Sequence, residues 1–173
     1  MSKACAVLLA GWAALGTGCG YHVAGRSAHL PESVRTIAVP ALENHSTQYR
    51  IEQRLTEALV HELLAQGRYR VVSNPAAADV TLRGAITSVE TSPLVFDTPT
   101  GRATMMLVTV HCSVRLEQND TKAVLYRNDK MLFRNEYELS TDAASFFGEQ
   151  DPALQRLAQD FAKQVVSAVL EGF

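Results

Sequence analysis

From Val108 to Leu116 an apolar residue stands at every second position: Val108, Val110, Cys112, Val114 and Leu116, with Thr109, His111, Ser113 and Arg115 between them. A period of two fits only an extended strand with one face in a core and the other outside it. A lone strand has nowhere to satisfy its backbone, so this run commits the chain to a sheet. Cys112 falls on the apolar side and reads as a small buried hydrophobe, not a nucleophile.

The segments around it read in the same way. Asp79 to Thr91 predicts a strand with Val80, Leu82, Gly84 and Ile86 on one face, and Ala103 to Leu116 predicts the next. Between them, Thr91 to Arg102 holds Pro93, Pro99 and Gly101 and reads as a loop or an extended hairpin end. Asn119-Asp120 predicts a turn into a strand near Val124 to Arg127, and Met131 to Leu139 either continues that strand or forms another. Short connections make these neighbours an antiparallel meander. Upstream, Val34 to Val39 is apolar and β-branched and stops at Pro40, as expected of a strand buried on both faces.

Two segments carry helical spacing instead. Ile51, Leu55, Leu59 and Leu63 recur every four residues, with Ala58 widening the stripe, and Gly67 stands where the helix would end. Asn44 to Thr47 offers capping side chains ahead of it. Arg54, Glu57 and His61 fall off the stripe and read as solvated. Tyr69 to Val72 then predicts a strand, which makes Val34 to Val72 a βαβ unit with parallel strands. Asp151-Pro152 reads as N-cap and first helical residue of a last helix. Its stripe is Leu154, Leu157, Phe161, Val165 and Ala168, and Gly172 ends it. The fold class expected is α+β: a two-layer sandwich of two amphipathic helices on a mixed sheet of four to five strands.

The start of the chain has a different grammar. Lys3 precedes an apolar run from Ala6 to Leu15, followed by Gly16-Thr17-Gly18-Cys19. A basic start, a brief apolar stretch and small residues before a cut site mark a secretory signal peptide. Small residues ahead of a cysteine resemble the bacterial lipobox, with Leu15 one step further back than the usual aliphatic position. That resemblance implies cleavage before Cys19 and acylation of its thiol and new amine. Acyl chains contribute about 0.8 kcal/mol per buried CH2, enough to hold a domain on a bilayer without a transmembrane helix. The alternatives are an ordinary signal peptide and an uncleaved anchor. The expected division is a signal peptide over 1–18, a lipid-anchored lead over 19–33 and a single domain over 34–173. Cys5 leaves with the signal and Cys19 becomes the anchor, so Cys112 is the one remaining thiol and no intramolecular disulfide is expected.

Charge and motifs narrow the function. Without residues 1–18 the chain has 15 basic and 18 acidic residues, a net of −3, which is no signature of nucleic-acid binding. His61-Glu62 begins like a zincin motif but lacks the second histidine four residues on, so no metal is expected. The glycines at 16, 18 and 20 follow no strand and cradle no phosphate. No GxSxG or Walker motif occurs. Neither catalytic residues nor a cofactor are expected.

Taken together, certain stretches resemble the lipopolysaccharide-assembly lipoproteins of the LptE family. They are Cys19-Gly20-Tyr21-His22-Val23, then Thr36-Ile37-Ala38-Val39-Pro40 with Glu43-Asn44, and Leu55-Thr56-Glu57-Ala58-Leu59. Ala78-Asp79 with Leu82-Arg83-Gly84-Ala85-Ile86 follows, then the alternation from Leu107 to Val114 and the acidic, alanine-bearing stretch from Glu149 to Leu157. The resemblance implies a non-catalytic lipoprotein at the periplasmic face of the outer membrane. Such proteins plug a large β-barrel of the LptD type, help it assemble and bind lipopolysaccharide on its way to the surface. Gly20 fits outer-membrane placement, because an aspartate after the cysteine marks inner-membrane retention. Carried over by position, Arg102 is the candidate contact to lipid phosphate, with Arg83 and Arg115 as candidates to share a face. Leu94, Val95, Phe96, Phe146 and Phe147 are candidates for contact with barrel wall or lipid, or for folding back over the core. Two other readings remain open at this stage: a lipoprotein of a different envelope secretion or assembly machine, and a periplasmic hydrolase or small-ligand carrier.

Overall fold

The computed structural model describes residues 30–31, 33–139 and 150–171, the side chains of Gln150 and Glu171 excepted. In chain order the elements are β1 (Thr36–Ala38), β2 (Glu43–Asn44), α1 (Ile51–Ala65), β3 (Arg70–Val72), a 3-10 turn (Pro75–Ala77), β4 (Val80–Phe96), β5 (Ala103–Gln118), β6 (Val124–Glu138) and α2 (Gln150–Glu171). The strands form one mixed sheet in the order β3-β1-β4-β5-β6, with β2 beside β4. β1 runs parallel to β3 and β4, and β4, β5 and β6 form the antiparallel meander. The sheet has six strands against the four to five expected. The extra one is the two-residue β2, too short to show any period in the sequence.

Both helices pack on one face of the sheet. α1 buries Ile51, Leu55, Leu59 and Leu63, the stripe its spacing predicts. α2 buries Leu154, Leu157, Phe161 and Val165 with Ala153, Ala158, Ala162, Val166 and Val169. At the end of that stripe Val169 takes the buried place expected of Ala168, which is half-buried. Three alanines and two tiers of branched residues let α2 lie against α1 and β6 together. Phe161 meets Phe133 of β6 edge to face, with ring centroids 4.9 Å apart.

The two helix starts differ from expectation. α1 opens at Arg50, which is left-handed at φ 58° and makes no side-chain cap. The residues expected to cap it tie up the preceding loop instead. The Asn44 amide donates to the Gln48 carbonyl and to Glu52 Oε2, while its oxygen accepts from Ser46. For α2, Asp151 lies inside the first turn, because the helix already includes Gln150. The expected end at Gly172 lies outside the described residues, as do the signal, Cys19 and the lead up to residue 29.

The base of the sheet is clipped by side chains. Asp79 Oδ2 accepts from the backbone N–H groups of Arg35 and Thr36, both at 2.8 Å, and those bonds hold its carboxyl below the usual range. Asn119 donates to the carbonyls of Pro75 and Ala78 and accepts from Thr81 Oγ1 at 2.7 Å, which satisfies the buried Thr81 hydroxyl. Gly84 has a steric reason: a Cβ there would sit 2.9 Å from Leu42 Cδ2 and 3.0 Å from the Ser113 carbonyl oxygen. Cys112 is buried as its alternation predicts, and burial pushes its thiol up to about 12.

Candidate functional site

Two surfaces carry the residues singled out by sequence, at opposite ends of the long hairpin. The first is the sheet face turned away from the helices. Residues at odd positions of β5 point there, and the register sets Arg83 of β4 directly opposite Arg115, and Arg115 opposite Arg127 of β6. Three guanidinium groups thus form one row across three adjacent strands. Like charges directly opposite each other destabilise a sheet. Here carboxylates interleave. Glu117 reaches Arg115 Nη1 at 3.2 Å and stands 4.0 Å from Arg83 Nε. Asp129 accepts from Arg127 Nε at 2.8 and 2.9 Å, and that bond keeps the Asp129 carboxyl below its ordinary range. The row borders a shallow recess of about 230 Å³ shared with Glu43, Ala85 and Ser113. Small side chains at Ala85 and Ser113 leave the guanidinium groups open to one side.

The second surface is the far end of the β4–β5 hairpin. The stretch from Thr91, open in sequence between loop and hairpin end, is strand as far as Phe96. Pro93 is tolerated because β4 has no described neighbour there except β5, so its missing N–H breaks no ladder on the outer side. Leu94, Val95 and Phe96 are 46%, 45% and 56% exposed. The turn beyond them is held by Asp97, whose carbonyl accepts from Gly101 and whose N–H donates to the Arg102 carbonyl at 2.8 Å. Gly101 is left-handed at φ 65°, which suits a residue without Cβ. Arg102 therefore sits beside three exposed apolar side chains, and among the described residues it makes no ion pair.

A bulge divides the two surfaces. The register slips between Ile86 and Ser88, leaving Thr87 unpaired with a partner residue. Its hydroxyl donates to the His111 carbonyl. Before the slip, even positions of β4 face the helices; after it, Val89 and Thr91 do, opposite Val110 and Val108.

A model of the family described as LptE, lipopolysaccharide-assembly, matches residues 34–169. The chain belongs to the LptE family. Among curated proteins none matches it by sequence. Among solved structures, a rare lipoprotein B from Shewanella oneidensis is similar in fold, at TM-score 0.54 and 19% identity, over 78% of this chain and 92% of that one. So is an uncharacterized lipoprotein B from Nitrosomonas europaea, at TM-score 0.53 and 15% identity, over 87% of this chain and 90% of that one. Membership ties this LptE-family chain to lipopolysaccharide assembly in the cell envelope.

Of the candidate arginines, Arg83 and Arg115 stand together, and Arg102 is apart from them. Phe96, beside the turn, is 13 residues along β4 from Arg83, which at ~3.3 Å per residue separates the sites by roughly 40 Å. Leu94, Val95 and Phe96 share the tip with Arg102, while Phe146 and Phe147 lie outside the described residues. Arg127 was missed by sequence reading. Counting outward from the Asn119–Lys122 turn places Tyr126 opposite Arg115; the register shift between Leu116 and Glu117 brings Arg127 there instead, and no pattern within either strand signals that shift. His61 and Glu62 border a groove with Arg54, Glu57 and Lys163 on the helix side. Among the described residues no group of three or more His, Cys, Asp or Glu is placed to hold a metal ion, and no helix is long and apolar enough to cross a membrane.

Proposed function

We propose that this chain is a lipid-anchored, non-catalytic subunit of the lipopolysaccharide-export barrel, seated on the periplasmic side of the outer membrane. The observation that carries the reading is the family match over residues 34–169 joined to an apolar hairpin that extends away from the helix-backed core. Cys19 bears the acyl chains. From Cys19 to Leu30, the first described core residue, 11 residues span at most ~40 Å. That tether keeps the domain within reach of the leaflet that holds the anchor. The Leu94–Phe96 tip packs against the wall or inner loops of an LptD-type barrel, where it loses the apolar surface it now shows to water. The domain acts as a template on which the barrel closes.

Lipopolysaccharide meets this subunit through its phosphates. Arg102 offers a guanidinium beside apolar side chains, a pairing suited to a lipid with charged head and acyl body. The row of Arg83, Arg115 and Arg127 offers a second contact, in which a phosphate displaces Glu117 from Arg115. No nucleic acid and no cofactor enter this scheme.

The test is purification of the mature protein from native membranes. The expected outcome is an acylated N-terminus at Cys19 and a co-purifying β-barrel, with loss of surface lipopolysaccharide when the chain is depleted. Arg102→Glu should weaken lipopolysaccharide binding while the barrel complex persists. A different envelope machine as the co-purifying partner, with surface lipopolysaccharide unchanged on depletion, overturns the proposal.

A further inference from the structure

The outer edge of β4 changes character along its length. β1 pairs with it at Val80 and Thr81, and β2 at Ala85 and Ile86. From Thr87 to Phe96 its one described neighbour is β5. Alternate backbone N–H and C=O groups of that stretch therefore face outward. Open edges are normally guarded by charge, proline or bulges. The opposite edge of the sheet, β6, is guarded along its length by Arg127, Asp129, Lys130, Arg134, Glu136 and Glu138. The β4 edge holds a single charge, Glu90, and its proline and second register break are confined to Pro93–Val95. Thr87 to Ser92, guarded only by the bulge at its start and by Glu90, has no described neighbour on this side and is continuous with the apolar tip at Leu94–Phe96.

We propose that this edge takes up an extended segment of the barrel partner as an added strand, held by backbone hydrogen bonds along Thr87–Ser92 and covered at its end by Leu94–Phe96. The inference rests on the barrel reading above and specifies how the contact is made. The alternation after the Thr87 bulge defines the incoming segment. On the helix side it lies beside Val89 and Thr91, so small or β-branched residues fit there. On the other face it lies beside Ser88, Glu90 and Ser92, so a polar run with a lysine or arginine next to Glu90 fits. A second copy of this chain fits less well. Antiparallel pairing centred on Glu90 opposes like charges, and a shift toward the tip brings Pro93 and its register break into the ladder from both copies.

Amide hydrogen exchange on the native complex, compared with the free protein, tests this. Outward amides of Thr87–Ser92 should slow by about two orders of magnitude in the complex, as ladder hydrogen bonds do. The double variant Ser88→Lys with Ser92→Lys, whose lysines guard the edge, should keep the wild-type melting temperature and lose about ten-fold in co-purified barrel. Ser88→Ala with Thr91→Ala should retain the barrel, because backbone groups carry the contact. Protection confined to Leu94–Arg102, with the edge exchanging as in the free protein, overturns strand addition and leaves the barrel reading standing. Slowed exchange in the isolated protein that rises with its concentration overturns it in favour of self-pairing. A wild-type preparation with no barrel overturns both.

Discussion

At its base, the β4–β5 hairpin is backed by both helices and buries Leu82, Ile86, Cys112, Val114 and Leu116; at its far end the same two strands carry Leu94, Val95 and Phe96 in the open. Backbone pairing is continuous through both regions, broken only by bulges. What differs is the layer behind the strands. The base is stabilised by removing apolar surface from water, at about 25 cal/mol per Å². The tip gains only pairing and leaves its apolar surface unused. Stability is thus assigned to one end of the element and, in the function proposed above, recognition to the other, and substitutions should separate them.

The largest effect is expected at Phe161, which is buried against Phe133 where α2 meets β6. Phe161→Ala should lower unfolding free energy by about 3–5 kcal/mol in denaturant titration. Gly84→Ala should cost about 1–3 kcal/mol, because its Cβ meets a carbonyl oxygen that cannot move without disturbing β5. Cys112→Ala should cost on the order of 1 kcal/mol. The Cys112 thiol should resist labelling in native protein and react on denaturation; rapid native labelling would contradict its burial. Asp79→Asn gives a pH-dependent difference. The folded carboxyl is held below its unfolded value, so its stabilisation is present above the unfolded pKa and lost as pH falls through the folded one. Wild type should exceed the variant at neutral pH and converge with it in acid. The smallest change in stability is expected at the tip: Phe96→Ser should leave the unfolding free energy within about 0.5 kcal/mol of wild type. The same substitution should reduce barrel capture. A large loss of stability there would erase the distinction between the two ends.

Much of the base was legible in sequence. The four-residue spacing of Ile51 to Leu63 and the two-residue spacing of Val108 to Leu116 report burial against a single layer, and periodicity registers that directly. The tip was not legible in the same way. Without a layer behind it, Thr91–Phe96 has no one-sided pattern, and Pro93 argues against any strand except an edge. From sequence, β6 reads as one strand or two because a register slip between Asn128 and Met131 disrupts its alternation. The start of α1 is not legible from its would-be caps, since Asn44 and Ser46 satisfy a loop as readily as a helix end. For the arginines, alternation shows that Arg83 and Arg115 lie away from the core. Their alignment with Arg127 is a matter of register between strands, set by turns and bulges rather than by any one strand's own sequence.

The position of α2 bears on the timing of folding. It is the last described element, yet it covers both α1 and the β6 side of the sheet. Between the end of α1 at Ala65 and the start of α2 at Gln150 lie about 85 residues, on the order of 5–15 s of synthesis at ~5–20 residues per second. Throughout that interval α1 lacks its neighbour and Phe133 lacks Phe161, so the hydrophobic layer stays unsealed. For a chain read as an exported lipoprotein, closure in that order would keep the polypeptide threadable until α2 is made.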